Sequence, residues 1–160
     1  MQVLILYYSR SGNTEKLAQE IAKGVEKVEG VDCILKTTAD VTKEDFVESD
    51  AIIAGSPVYF GGMAAELKAI FDKFIGVRRK MGGKIGAAFA TSGDMTGGKE
   101  TTMLSILQAL LIYGMVVMGD PLEATGHYGV ACVAKPDVNA CDSAQKMGRC
   151  VAELVKKIAE

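Results

Sequence analysis

Six consecutive residues after a short apolar run hold the densest polar chemistry in this sequence: Ser9, Arg10, Ser11, Gly12, Asn13 and Thr14, reading "SRSGNT". The hydroxyls of Ser9, Ser11 and Thr14 can each donate to phosphate oxygens. Gly12 lets the backbone approach a ligand closely. The following segment reads as a helix, whose first N–H groups and positive dipole end favour an anion. A phosphomonoester would then be held largely by neutral donors. The same residue types also serve as plain turn and cap residues. The loop is neither a GxxxxGK[ST] loop nor a dinucleotide GxGxxG turn.

Two further loops have a composition suited to a flat ligand. "SPVYFGG" (Ser56 to Gly62) carries Pro57, which restricts the entry, then Val58, Tyr59 and Phe60 ahead of Gly61 and Gly62. Two aromatics suit packing on a heterocycle, and the diglycine lets amides reach ring atoms. "TSGDMTGG" (Thr91 to Gly98) is small-residue backbone with no aromatic. The plainer alternatives are a hydrophobic cap over the core and a flexible loop.

The elements that must position these loops alternate. Val3–Tyr8 is a continuous apolar run and Ala51–Gly55 a second fully buried one, as expected of strands covered on both faces, and Lys84–Ala90 reads as the next strand. Val31–Thr37 alternates like a strand, and Met115–Met118 is a last short one. Thr14–Val28, Ala64–Phe74 and Thr101–Tyr113 have helical apolar spacing; Asp45–Val47 is a helical turn, and Asp142–Ile158 a last helix capped by Asp142. Such alternation implies right-handed βαβ units and a doubly wound five-stranded parallel sheet with helices on both faces. Ligands then bind beyond the carboxyl ends of the strands, where the three loops lie. No linker or repeat divides residues 1–160, so one domain is expected.

Composition excludes several classes. A net charge of −2 gives no electrostatic case for nucleic acid. No apolar run approaches the ~20 residues needed to span a bilayer, and no secretory signal opens the chain, which points to the cytoplasm. Cys33, Cys132, Cys141 and Cys150 form no CxxC pair and read as reduced, packed thiols. The single histidine, His127, lacks a ligand-spaced partner, so no metal site is expected; in "TGHYG" it reads as a surface-loop residue or as a border of the ligand. Arg78–Lys80 ("RRK") reads as a solvated basic turn more than as a nucleotide-phosphate site. The helix from Thr101 to Tyr113 has little polar face, which suits a subunit contact, most simply in a homodimer.

Together "VLILYYSRSGNT", "DAIIAGSPVYFGGM", "LKAIFDKF" and "GGKETT…YGMVV" resemble flavodoxin-like FMN proteins across nearly the whole chain, in particular WrbA-type NAD(P)H:quinone oxidoreductases. The resemblance implies a sheet order 2-1-3-4-5 and FMN as cofactor. Ser9 through Thr14 would hold the FMN phosphate. Val58, Tyr59 and Phe60 would contact the isoalloxazine, while Thr91, Ser92, Gly93 and Asp94 would meet its other polar edge. The chain departs from that type in a brief "TTADVTKED" connection and in Tyr113, where some relatives have histidine before "GMV". Short-chain flavodoxins often carry Trp or Tyr in both ring loops; this chain has no Trp.

Two functions follow. One is an oxidoreductase passing electrons from NAD(P)H to a quinone or similar acceptor. The other is a flavodoxin, a one-electron carrier between redox proteins. In both the flavin performs the electron chemistry and the protein tunes it. No catalytic acid or base stands out.

Overall fold

A computed structural model describes residues 1–159. The element order is β1 (Gln2–Tyr7), α1 (Asn13–Val25), β2 (Asp32–Thr37), α2 (Lys43–Glu48), β3 (Ala51–Tyr59), β4 (Gly62–Met63), α3 (Ala65–Lys73), a 3₁₀ turn (Ile75–Lys80), β5 (Ile85–Ser92), α4 (Lys99–Ile112), β6 (Val116–Val117), β7 (Val130–Val133) and α5 (Val138–Ala159). The sheet runs β2-β1-β3-β5-β6, all parallel, which is the expected order counted over its main strands.

The apolar runs are continuous because both faces of the sheet are covered. Val3, Ile5, Tyr7, Ile53, Ala87 and Phe89 pack with α1 and α5. Leu4, Leu6, Ile52, Ala54, Ala88 and Ala90 pack on the other side with Phe46, Leu67, Phe71, Ile106 and Leu110. Period-2 side-chain alternation therefore sends neighbours into two different cores. One pairing is set by size: Gly55 lies opposite Phe89 in the β3–β5 register, and a Cβ there would fall 2.0 Å from the Phe89 ring.

Three expectations are revised. The fifth strand is split: β6 pairs with Ile85 and Gly86, whereas the unforeseen β7 pairs with Phe89–Ser92. "VACV" is short and lies between turn-rich stretches, so its strand character comes from its partner β5. The last helix starts at Val138, not at Asp142. Asp137 Oδ1 accepts from Ala140 N at 2.8 Å and acts as the cap, while Asp142 pairs with Lys146 at 2.7 Å one turn into the helix. β3 and β5 extend four and two residues beyond the apolar runs, so both ring loops begin as ordered strand. No helix among the described residues is long and apolar enough to cross a membrane.

Candidate functional site

β1 leaves the sheet at Tyr7, and Tyr8 N still donates to Gly55 O at 3.2 Å. The chain then turns through Ser9–Gly12 into α1. Gly12 stands at φ +83° as the helix N-cap, and a Cβ there would meet nothing within 4 Å. The backbone angle, rather than space, therefore demands glycine. Its N–H donates to Ser9 Oγ at 3.1 Å, which closes the loop on itself. No side chain caps α1, so its first-turn N–H groups are open to an external acceptor. Glu15, the one acidic group in that turn, accepts from the Tyr7 hydroxyl at 3.4 Å. Arg10 and Ser11 are exposed, whereas Thr14 is turned inward, with its Oγ1 2.8 Å from Thr91 Oγ1.

The second loop is a β-hairpin. Val58 pairs with Met63 and Tyr59 with Gly62, leaving Phe60 and Gly61 as the two-residue turn. Their φ values are +50° and +77°, the double left-handed geometry that such turns favour. Ser56 Oγ accepts from Ala64 N at 2.8 Å and anchors the hairpin base. Thr101 Oγ1, in the first turn of α4, lies 2.7 Å from Gly61 O and grips the tip. Tyr59 meets Tyr8 edge-on at a centroid distance of 6.4 Å. The Phe60 side chain is fully exposed at the tip.

The third loop is more ordered than its composition suggests. Ser92 Oγ donates to Asp94 O at 2.6 Å, and Asp94 Oδ1 accepts from Thr96 N and Oγ1 at 3.0 and 3.1 Å. The two Thr96 bonds, backbone first, hold the exposed Asp94 carboxyl below its ordinary value. Gly98, at φ +97°, leaves no room for a side chain: a Cβ would lie 3.0 Å from Gly61 Cα. The two ring loops are thereby wedged together.

Between the three loops lies a cavity of about 500 Å³, lined by Arg10, Ser11, Asn13, Pro57, Val58, Tyr59, Thr91, Ser92 and Gly93. One residue that sequence reasoning missed joins them. Ala134, at φ +53°, follows β7, and its N–H donates to Ser92 O at 2.7 Å. A lone alanine carries no sequence signal; only the pairing of β7 with β5 brings it here. Ser9, Gly12 and Thr14 belong to the first loop without lining this cavity, Thr14 through its contact with the lining residue Thr91, and Asp94 holds its own turn through Thr96. Phe60 faces a neighbouring hollow of about 770 Å³ that it lines with Arg10, Tyr59, Met63 and Glu66.

Other sequence candidates lie elsewhere. Tyr113, 3% exposed, donates to Phe71 O at 2.6 Å at the end of α4, beyond the amino ends of the strands; burial pushes its hydroxyl up to about 12. Arg78 donates to Ile112 O at that same far edge. His127 is exposed and lines a separate cavity of about 600 Å³ between α4, β7 and α5. None of the cysteines lines the 500 Å³ cavity, and burial raises Cys33 to about 12 and Cys132 to about 11, so both are thiols. Among the described residues no three His, Cys, Asp or Glu side chains group as metal ligands.

The cavity fits a phosphate-bearing planar heterocycle. Its volume falls within the range of cofactor pockets. It offers neutral donors and an open helix terminus at one end and a Pro57–Val58–Tyr59 wall beside it. The comparisons agree with that reading. The family model for NADPH-dependent FMN reductase matches residues 33–129. The chain is 35% identical to a flavodoxin of Aquifex aeolicus, covering 96% of this chain and 86% of that one. It is 33% identical to an NAD(P)H dehydrogenase (quinone) of Chromohalobacter salexigens, covering 99% and 98%. A solved flavodoxin from the domain Archaea superposes with a TM-score of 0.83 at 29% identity, over 98% and 99% of the two chains. The chain belongs to the NADPH-dependent FMN reductase family and is a flavodoxin-like FMN protein.

Proposed function

We infer that this protein uses FMN to pass electrons from a reduced nicotinamide nucleotide to a quinone or similar acceptor. The observation that carries the reading is the 500 Å³ cavity into which all three loops contribute. Ser9, Arg10, Ser11, Gly12, Asn13 and Thr14 hold the phosphate. Pro57, Val58, Tyr59 and Gly61 support the ring, and Ser92 and Gly93 meet its polar edge. Bound FMN supplies the electron and hydride chemistry. The protein's residues bind it, orient it and exclude water from one side. The third loop has no aromatic, which leaves the other side accessible to a stacked substrate. The similarity to the Chromohalobacter quinone dehydrogenase supports this choice of donor and acceptor.

Residues 1–160 act as one flavin-binding domain in this reading, and two copies associate. Leu104, Leu111, Ile112 and Val116 are exposed apolar side chains on and just after α4, and they supply a contact face. The second reading, a one-electron carrier, is favoured by the similarity to the Aquifex flavodoxin. One experiment separates the two. Purified protein loaded with FMN is mixed anaerobically with NADH or NADPH. Rapid loss of the 450-nm region absorption, restored by a quinone, is the expected result. No bleaching by either nucleotide, with a stable half-reduced spectrum during chemical titration, establishes the carrier instead.

A further inference from the structure

One buried polar contact joins the first and third loops, and it lies between residues that sequence reasoning sent to opposite ends of the ligand. Thr14 Oγ1 and Thr91 Oγ1 are 2.8 Å apart across 77 residues of chain. Thr14 is 1% exposed and Thr91 4%. We propose that Thr91 is a positioning residue of the phosphate site, acting through Thr14, and is not primarily a ring contact. The proposal rests on the flavin reading above and deepens it.

Each hydroxyl has one proton and two lone pairs. Within the pair, one hydroxyl donates and the other accepts. When Thr91 donates, the Thr14 proton is free for a third partner. When Thr14 donates, it presents only a lone pair to its surroundings. A phosphate beside the α1 N-terminus is an acceptor, so it selects the first arrangement: Thr91 donates to Thr14, and Thr14 donates to phosphate.

Rigidity makes this arrangement valuable. Thr91 belongs to β5, which is buried over its whole length, and its register pairs it with Pro57 on one side and Cys132 on the other. Thr14 is thus fixed by a strand that is buried throughout and paired on both sides at Thr91. Ser11 is exposed and Ser9 half-buried, so each must lose rotamer freedom on binding. Thr14 is the preorganised donor of the three, and Thr91 is what preorganises it.

The test compares FMN with riboflavin, which lacks the phosphate, on the wild type, Thr91→Val and Thr91→Ser. Flavin fluorescence quenching reads affinity, and thermal unfolding confirms that each variant is folded. Thr91→Val keeps the side-chain shape and removes the hydroxyl. It is expected to weaken FMN by about tenfold or more, because a hydrogen bond to a charged group is lost or misdirected. Riboflavin affinity is expected to change by less than about twofold on the same reasoning. Thr91→Ser is expected to restore FMN binding. Equal losses for FMN and riboflavin in Thr91→Val, no loss for either, or failure of serine to rescue overturns the proposal while the flavin reading stands. A wild type that binds FMN no better than riboflavin overturns both.

Discussion

Asp120 is the test of how the segment between the two halves of the fifth strand is held. The carboxylate is 6% exposed and lies among four donors. Oδ2 accepts from Thr125 N at 2.9 Å, Thr125 Oγ1 at 2.5 Å and Gly126 N at 3.1 Å; Oδ1 accepts from His127 N at 2.7 Å. Burial by itself would raise its pKa, but the Thr125, His127 and Gly126 donors outweigh that and hold it below the ordinary aspartate value. Asp120→Asn keeps the shape and replaces one oxygen with an NH₂ group. In the better orientation the carbonyl keeps the three Oδ2 bonds and the amide faces His127 N–H, donor against donor. One bond is lost outright and three lose their charge assistance, which together cost roughly 2–4 kcal/mol. The depressed pKa also sets a sign. The stabilisation is present above the unfolded-state value of about 3.9 and is lost as pH falls through the lower folded-state value. Wild-type stability should therefore fall steeply at acid pH, and Asp120→Asn should flatten part of that fall. Urea unfolding at pH 7 and pH 3, with amide exchange of Thr125, Gly126 and His127, measures both effects. A variant within about 0.5 kcal/mol of wild type at pH 7, with unchanged amide protection, would refute the reasoning.

Four further outcomes follow from particular contacts. A Cβ on Gly148 would lie 2.1 Å from Ile21 O, so Gly148→Ala should destabilise by about 1–3 kcal/mol despite its better helix propensity, read by thermal or urea unfolding. Phe60→Asn places the favoured Asn-Gly pair in the hairpin turn; it should raise unfolding stability by about 1 kcal/mol, and a loss of stability would mean that the Phe60 ring packs in solution. Tyr59 lines the cavity and Phe60 does not, so Tyr59→Ala should weaken FMN about tenfold or more while Phe60→Ala changes it less, as measured by flavin titration. Light scattering should show a homodimer at micromolar concentration that Leu111→Glu dissociates; a monomeric wild type removes the α4 contact.

The fold class was readable because the signal is local and repeated. A strand buried on both faces must be apolar at every position, and β1, β3 and β5 announce themselves in that way. The helices with one solvent face show their period for the same reason. The "SRSGNT" turn was likewise legible, since a left-handed cap needs Gly12 and donors cluster around it.

Residues whose roles arise from partners distant in the chain could be read only from the tertiary structure. β7 is a strand because β5 offers it an edge, and Ala134 reaches the cavity only through that pairing. Tyr113 stands before "GMV", where some relatives have histidine, and its role was open in the sequence; α4 carries it to the far edge of the sheet, into a cage with Phe46 and Phe71. The ring loop became a hairpin because Ser56 and Thr101 pin its base and tip, and neither bond is visible in its composition. Thr14 carried the same donor label as Ser9 and Ser11. Its buried contact with Thr91 sets it apart, because a hydrogen bond spanning 77 residues leaves no trace in local spacing. Local propensity reports where the backbone must bend or be buried; which side chains then meet is decided by packing between elements, and the site is built from those meetings.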